Sequence, residues 1–334
     1  MQLLFYLKDL YHLLYYSVIR FIFNVTPFPL FIRYANLKGI YKYLIYSTFR
    51  KDVYNNVYQA FGDQKRKAEL LRLTKAIIQG VQVWNICNYF QIKLSDAEIE
   101  RYFPVDGLEN LEEALKNGKG VILLSGHLGP HFITRYILRK KGYQLKGVRF
   151  RNVTAVHSTK IETNPWLGKR IVEKLKIRRY TEPPDFYFKV EFNSRPLLKH
   201  LNGNGILFTM GDGMQSLTHI KTKFLNNTVP FSLGAMSLAR ASGATVLPVI
   251  VSGKAGSKNF STAIGKPLEL QTTEDRQEDV RQNTLKFVCC LEEQILKYPS
   301  NWRHWVVRQY FTRINEFFQQ EKNRHSKVLG LGRS

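Results

Sequence analysis

The chain has 334 residues, 44% of them apolar and 13% aromatic, with a formal charge of +24. That length and apolar share suit one large globular domain with a smaller helical element, and exclude a disordered or collagen-like chain. The charge calls for a polyanionic neighbour: nucleic acid, an anionic membrane surface or an acidic protein.

The first element in the chain decides among these. Leu10–Phe23 is too short and too interrupted for a clean membrane span. Its interruptions are ordered, because Asp9, His12, Tyr16 and Arg20 recur at three- or four-residue spacing and share one helical face. Leu13, Leu14, Val18, Ile19 and Ile22 lie elsewhere on the same helix. This is the pattern of a helix lying in a membrane interface, with Tyr at headgroup level and Lys or Arg beside acidic lipid. Thr26-Pro-Phe-Pro29 stops it, and a second aromatic-basic stretch, Phe31–Phe49, carries Arg33, Lys38 and Lys42. Two further readings stay open, a tilted spanning helix and a buried core helix followed by a solvated loop. Arg20 inside the apolar stretch argues against a signal peptide. Residues 1–50 are therefore expected to form a membrane-associating helical segment.

From Val53 to about Leu115 the spacing predicts helices, with Leu70, Leu71, Leu73, Ile77, Ile78, Val81 and Trp84 at a helical period. The pattern then changes. Val121–Leu124, Lys146–Phe150, Ile206–Met210 and Thr245–Val251 read as strands, and Thr134–Lys141, Arg195–Leu201 and Ser232–Ser242 as helices between them. Asp275–Tyr298 reads as one long helix and Asn301–Gln320 as another. Such alternation predicts an α/β fold, a central mixed sheet flanked by helices, over residues 51–320. Residues 321–334 read as a flexible basic tail. Cys87 and the adjacent Cys289 and Cys290 give neither a zinc spacing nor a disulfide framework, so a reducing compartment and no metal are expected.

Two strand ends carry candidate chemistry. Val121–Phe132 is an apolar run ending in a turn with His127 between Gly126 and Gly129, and Pro130 then opens a helix whose N-terminus favours negative charge. His127 is the candidate general base, and the flanking glycines would let a substrate approach. His131 reads as a packed or capping residue. Phe208-Thr-Met-Gly-Asp-Gly213 ends a second strand and presents Asp212, which would meet His127 if the two strand ends share one sheet edge. Arg149, Arg151 and Arg170, with Lys169, are candidates for binding phosphate or carboxylate groups.

These segments, in this order, resemble the lipid A biosynthesis lauroyl/myristoyl acyltransferase family, related to the lysophospholipid acyltransferases. Ser125-Gly-His-Leu-Gly-Pro-His-Phe132 is similar to the first half of the family's His motif, and Gly211-Asp212 to its acidic strand end. Lys223-Phe-Leu225 is similar to the apolar segment after it. Gly234–Ala244 followed by Val246-Leu-Pro-Val249 is the nearest match. Tyr298-Pro-Ser-Asn-Trp302 resembles the closing Pro-x-Gln-Trp, with Asn301 in place of Gln, and Arg50–Phe61 with Asn55-Asn56 an N-terminal Arg-x-x-x-x-Asn segment. The resemblance spans roughly residues 50–311.

It implies transfer of an acyl group from an acyl carrier protein or coenzyme A thioester to a lipid hydroxyl, with His127 as general base and no cofactor. It also implies attachment to the cytoplasmic face of the bacterial inner membrane. The family places an acid five residues after the His, where this chain has Phe132. Three consequences stay open: Asp212 or another distant carboxylate orients His127, a different acyl or aminoacyl donor is used, or the chain is a non-catalytic relative acting as a membrane-bound partner or regulator. Basic residues spread along the chain, without a zinc-finger or aromatic RNA-binding signature, argue against nucleic acid as a partner.

Overall fold

The computed structural model describes residues 2–150, 182–183, 185–190, 194–213 and 218–314. Arg151, Lys169, Arg170 and the expected tail 321–334 lie outside the described residues.

Helix α1 (Gln2–Val25) ends where Thr26 precedes Pro27, because the proline ring disfavours helical geometry in the residue before it. Its orientation is the finding. Asp9, His12 and Tyr16 are half-buried against the protein, whereas Leu10, Tyr11, Leu14, Val18, Phe21 and Ile22 are exposed. The outward face is mainly apolar, although Arg20 is also exposed and Leu13 and Ile19 are half-buried.

Helix α2 (Phe28–Ile45) opens on a proline-led turn and buries Phe28, Ile32, Ala35 and Gly39 at alternating spacings of four and three. At Gly39 it comes so close to the next long helix that a side chain there would stand 2.6 Å from Gln79 Cα. Leu30, Tyr34, Leu37, Tyr41 and Leu44, on its other face, are exposed. Outside Leu3–Tyr46, the large exposed apolar side chains among the described residues are Tyr58, Ile92 and Leu296 alone. Phe23, Phe28, Ile32 and Ala35 belong to the same apolar cluster as the sheet residues Ile122 and Leu207. Residue 50 therefore marks no break in the core.

Helices α3 (Ser47–Phe61), α4 (Lys67–Phe90) and α5 (Asp96–Tyr102) follow, then a two-residue strand β1 (Val105–Asp106) and α6 (Leu108–Lys116). The sheet is built from β2 (Val121–Ser125), β3 (Leu145–Phe150), β4 (Tyr187–Val190), β5 (Ile206–Met210), β8 (Thr245–Ser252) and β9 (Ser261–Ile264) together with β1. Its order is β1-β9-β8-β2-β5-β3-β4, parallel throughout except where β8 meets β9. The four predicted strands match β2, β3, β5 and β8 within a residue, whereas β1, β4 and β9 were not predicted. β2 is central, with Val121, Ile122, Leu123 and Leu124 at most 1% exposed. Burying each such side chain is worth about 1.5–3 kcal/mol. Alternation splits them between two faces: Ile122 and Leu124 join the cluster lined by α4, and Val121 and Leu123 join Leu111 of α6.

Helices α7 (Phe132–Lys140), α8 (Arg195–Asn202), α9 (Gly234–Ser242) and α10 (Arg276–Lys297) match the predicted ones. Two further features differ. Strands β6 (His219–Phe224) and β7 (Asn227–Ser232) form a separate antiparallel hairpin. Its two-residue loop, Leu225-Asn226, has positive φ at both positions, the geometry that matches strand twist. The helix expected from Asn301 is replaced by two short 3-10 turns, Pro299–Asn301 and Arg303–Val306, with helical backbone starting only at Tyr310.

Candidate active site

The site follows from the sheet register. In the parallel pair β2 and β5, Ser125 lies opposite Met210, and the Gly211 N–H donates to the Ser125 carbonyl at 2.8 Å. Two residues beyond each end the chains carry His127 and Asp212, so the two side chains leave the same sheet edge together. His127 Nδ1 stands 2.6 Å from Asp212 Oδ1, and the His127 backbone N–H donates to Asp212 Oδ2 at 2.8 Å.

Gly126 makes this approach possible. A Cβ at that position would stand 2.6 Å from Leu291 Cδ1 and 3.3 Å from Asp212 Oδ2. The space that the glycine leaves is thus filled by protein, not opened to a substrate. Gly129 has φ +48°, the left-handed geometry that favours glycine, and its N–H donates to the Asn301 carbonyl at 2.8 Å.

The C-terminal segment completes the site. Leu128 and Trp302 form an antiparallel bridge, and the Arg303 N–H donates to the His127 carbonyl at 2.8 Å. Trp302, fully buried, donates its indole Nε1–H to Asp212 Oδ2 at 3.0 Å. His304 Nε2 approaches the same oxygen at 3.4 Å, a long electrostatic contact. The segment is clamped from α3. Asn56 donates to the carbonyls of Trp305 and Val307 and accepts from the Tyr310 N–H, at 2.9, 2.8 and 3.0 Å. Trp302 and His304 are functional neighbours that the sequence did not assign. The Pro299-Ser-Asn-Trp302 match was the one signal for Trp302, and His304 had none.

Asp212 is 2% exposed. Burial opposes its ionisation, but His127, His304 and their hydrogen bonds outweigh burial and hold its carboxyl well below the usual range. A carboxylate at Oδ1 fixes the proton of His127 on Nδ1 and leaves Nε2 with the lone pair. His127 is the more open partner, its side chain 29% exposed against 1% for Asp212.

His131 sits at the start of α7 and caps nothing. It is a packed residue, 1% exposed, with its ring edge-on to His127 at 5.3 Å. Burial, reinforced by His127, Arg135 and Arg303, pushes its imidazole well below the ordinary range, so it is neutral. Phe132 lies with its ring tilted against His131, 4.2 Å between centroids. Its ring also meets the guanidinium groups of Arg135 and Arg303, at 4.9 and 5.9 Å. Arg135 is itself paired with Glu182 at 3.2 Å.

Of the predicted site residues, the structure brings His127, Asp212, Gly126 and Gly129 together. Arg149 lies on β3, beside Lys189 of β4 and two strands from β2. Donor atoms of His127, Asp212 and His304 lie within 4.8 Å of one another. The 2.6 Å Nδ1–Oδ1 separation is a hydrogen-bond distance that leaves no room for an ion between those atoms. The arrangement is suited to taking up and returning one proton at His127.

No curated protein matches the chain. Among solved structures, the 1-acyl-sn-glycerophosphate (LPA) acyltransferase PlsC from Thermotoga maritima is similar at 15% identity and a TM-score of 0.34, over 79% of this chain and 97% of that one. Residues 6–312 match the family described as bacterial lipid A biosynthesis acyltransferase, and the chain belongs to that family.

Proposed function

We propose that this acyltransferase-family protein moves a fatty acyl group from an acyl carrier protein or coenzyme A thioester to a lipid hydroxyl, with His127 as general base and Asp212 as its orienting acid. The observation that carries the proposal is the 2.6 Å contact between His127 Nδ1 and a buried Asp212 oxygen. His127 Nε2 takes the hydroxyl proton as the oxygen attacks the thioester carbonyl. The tetrahedral oxyanion gains from the positive N-terminal end of α7, which begins beside the His127 turn. The C–S bond then breaks, and the imidazolium returns its proton to the departing sulfur. A positioned base of this kind supplies about 10²–10⁴ in rate.

Asp212 fills the role that the family gives to the acid at the Phe132 position. Phe132 keeps to the arginine side of His131 and takes no part in the proton transfer. Gly129 shapes the turn that presents the base, and Arg149, Arg151 and Arg170 remain candidates for anionic groups on donor or acceptor.

No described helix is long and apolar enough to cross a membrane. The outward apolar faces of α1 and α2, in a chain of charge +24, support monotopic attachment to an anionic bilayer, in this family the cytoplasmic face of the inner membrane.

The test is transfer of a labelled acyl group on membranes by the parent and His127→Ala. Loss of turnover in the variant, with its fold retained, is the expected result. Undiminished turnover would remove His127 from the mechanism, and absence of turnover in both would favour a non-catalytic membrane-bound partner.

A further inference from the structure

The carboxylate that holds His127 has a second imidazole beside it. His304 Nε2 lies 3.4 Å from Asp212 Oδ2, and this buried nitrogen has no well-aligned hydrogen-bond partner among the described residues. The ring is fixed from several sides: parallel to Tyr310 at 4.8 Å, edge-on to Trp302 at 5.1 Å and 4.9 Å from the His127 ring. Asp212 already receives three hydrogen bonds from His127 and Trp302, so His304 is not needed to satisfy it.

We propose that His304 is a positioning residue for the dyad: its Nε2, 3.4 Å from Asp212 Oδ2, draws on the carboxylate from a second side and weakens the hold of Asp212 on the imidazolium form of His127. The proposal rests on the reading of His127 as the base. A carboxylate whose charge is partly drawn toward His304 stabilises protonated His127 less. The imidazolium then returns its proton more readily to the departing sulfur.

The charged and titratable groups facing His304 are Asp212, His127, Arg303 and Tyr310, with His131 and Arg135 behind His127. Burial keeps His304 neutral. Asp212 partly opposes this, while His127 and Arg303 add to it. His304 is therefore an N–H donor, not a second cation. Its side chain is 13% exposed against 29% for His127, which leaves His127 as the imidazole open to substrate.

The experiment uses the full chain in detergent micelles with isotopically labelled histidine, comparing the parent with His304→Phe and His304→Gln. The His127 imidazole is titrated by NMR, which needs no turnover, and kcat/KM for acyl transfer is measured against pH. In His304→Phe the His127 midpoint and the acid limb of kcat/KM are expected to move up together by about half to one pH unit, the effect of losing one long polar contact to a charged group. KM should stay within about two-fold, since His304 would act through Asp212 and not on substrate. His304→Gln, which keeps an N–H of similar reach, should return both toward the parent.

An unmoved midpoint in folded His304→Phe would overturn the proposal, as would equal shifts in the Phe and Gln variants. If His304→Phe does not fold, His304→Asn, too short to reach Asp212, should give the same upward shift. A moved midpoint with turnover indifferent to His127→Ala would instead sink the general-base reading while leaving the coupling of the two imidazoles in place.

Discussion

Ser125 and Met210 lie opposite each other at the ends of β2 and β5, and this register point sets His127 beside Asp212. A slip of one residue between the strands would move Asp212 along the sheet edge by about 3.3 Å and turn its side chain to the other face. The dyad is thus a property of strand pairing before it is one of loop structure.

Asp212→Asn should keep the fold, because an amide oxygen still accepts from Trp302 Nε1–H. Acyl-transfer kcat should fall by about 10²–10⁴, since the same change in a serine-protease triad costs about 10⁴. Steady-state kinetics beside a melting curve checks it. A loss of only a few-fold at unchanged Tm would exclude Asp212 as the orienting group.

Phe132→Glu, which restores the family acid, should fold and change turnover by less than about ten-fold. The guanidinium groups of Arg135 and Arg303, near the native ring at 4.9 and 5.9 Å, would receive the new carboxylate. His127 Nδ1 has one proton, already committed to Asp212 at 2.6 Å. A gain well beyond that range would mean that Asp212 does not do the work assigned to it.

Stability should fall on acidification through the range below the ordinary imidazole value of 6.5. His131 is held neutral, its pKa well below that value, chiefly by burial. The unfolded chain binds a proton that the folded one refuses, so stability rises with pH between the folded and unfolded values and is fully present above 6.5. His304 is shifted in the same direction. Asp212 behaves differently: its carboxyl is depressed below the ordinary 3.8, so its contribution persists until the pH approaches that value and is lost below it. Urea midpoints between pH 5 and pH 8, compared with those of His131→Phe, should show a shallower slope in the variant. Parallel slopes would contradict the assignment.

Leu14, Val18 and Phe21 are 58%, 56% and 65% exposed, so replacing all three with Gln should leave Tm unchanged. Co-sedimentation with anionic vesicles should weaken by about ten-fold or more, because each fully buried apolar side chain is worth about 1.5–3 kcal/mol. Added salt should weaken the parent's binding as well. Sedimentation indifferent to the triple variant would dismiss α1 as the attachment surface.

The sheet was legible in the sequence because buried parallel strands read as continuous apolar runs bounded by glycine. This placed Val121–Ser125 and Ile206–Met210, and with them both members of the dyad. The β6–β7 hairpin was not read. Pro230 lies in its second strand, opposite Lys221, a position that a two-stranded ribbon tolerates. Of the two loop residues, Leu225 and Asn226, only Asn226 is a turn-type residue. The apolar spacing after Asn301 read as helix, but pairing with Leu128 holds Trp302 extended, at φ −79° and ψ 121°. Tertiary contact overrode local period there, and so His304, a lone histidine with no pattern around it, went unread. The half-burial of Asp9, His12 and Tyr16 on α1 was equally invisible, because periodicity shows that a helix has two faces without saying which one meets the protein.

The bridge between Leu128 and Trp302 has a consequence for biosynthesis. A nascent chain that has emerged through β9 already contains every strand of the sheet and both members of the dyad. The His127 carbonyl and Asp212 Oδ2 still wait for the donors carried by Arg303 and Trp302. The geometry of the His127–Asp212 pair is therefore set in two stages, first by the pairing of β2 with β5 and then by a segment translated after every described strand of the sheet.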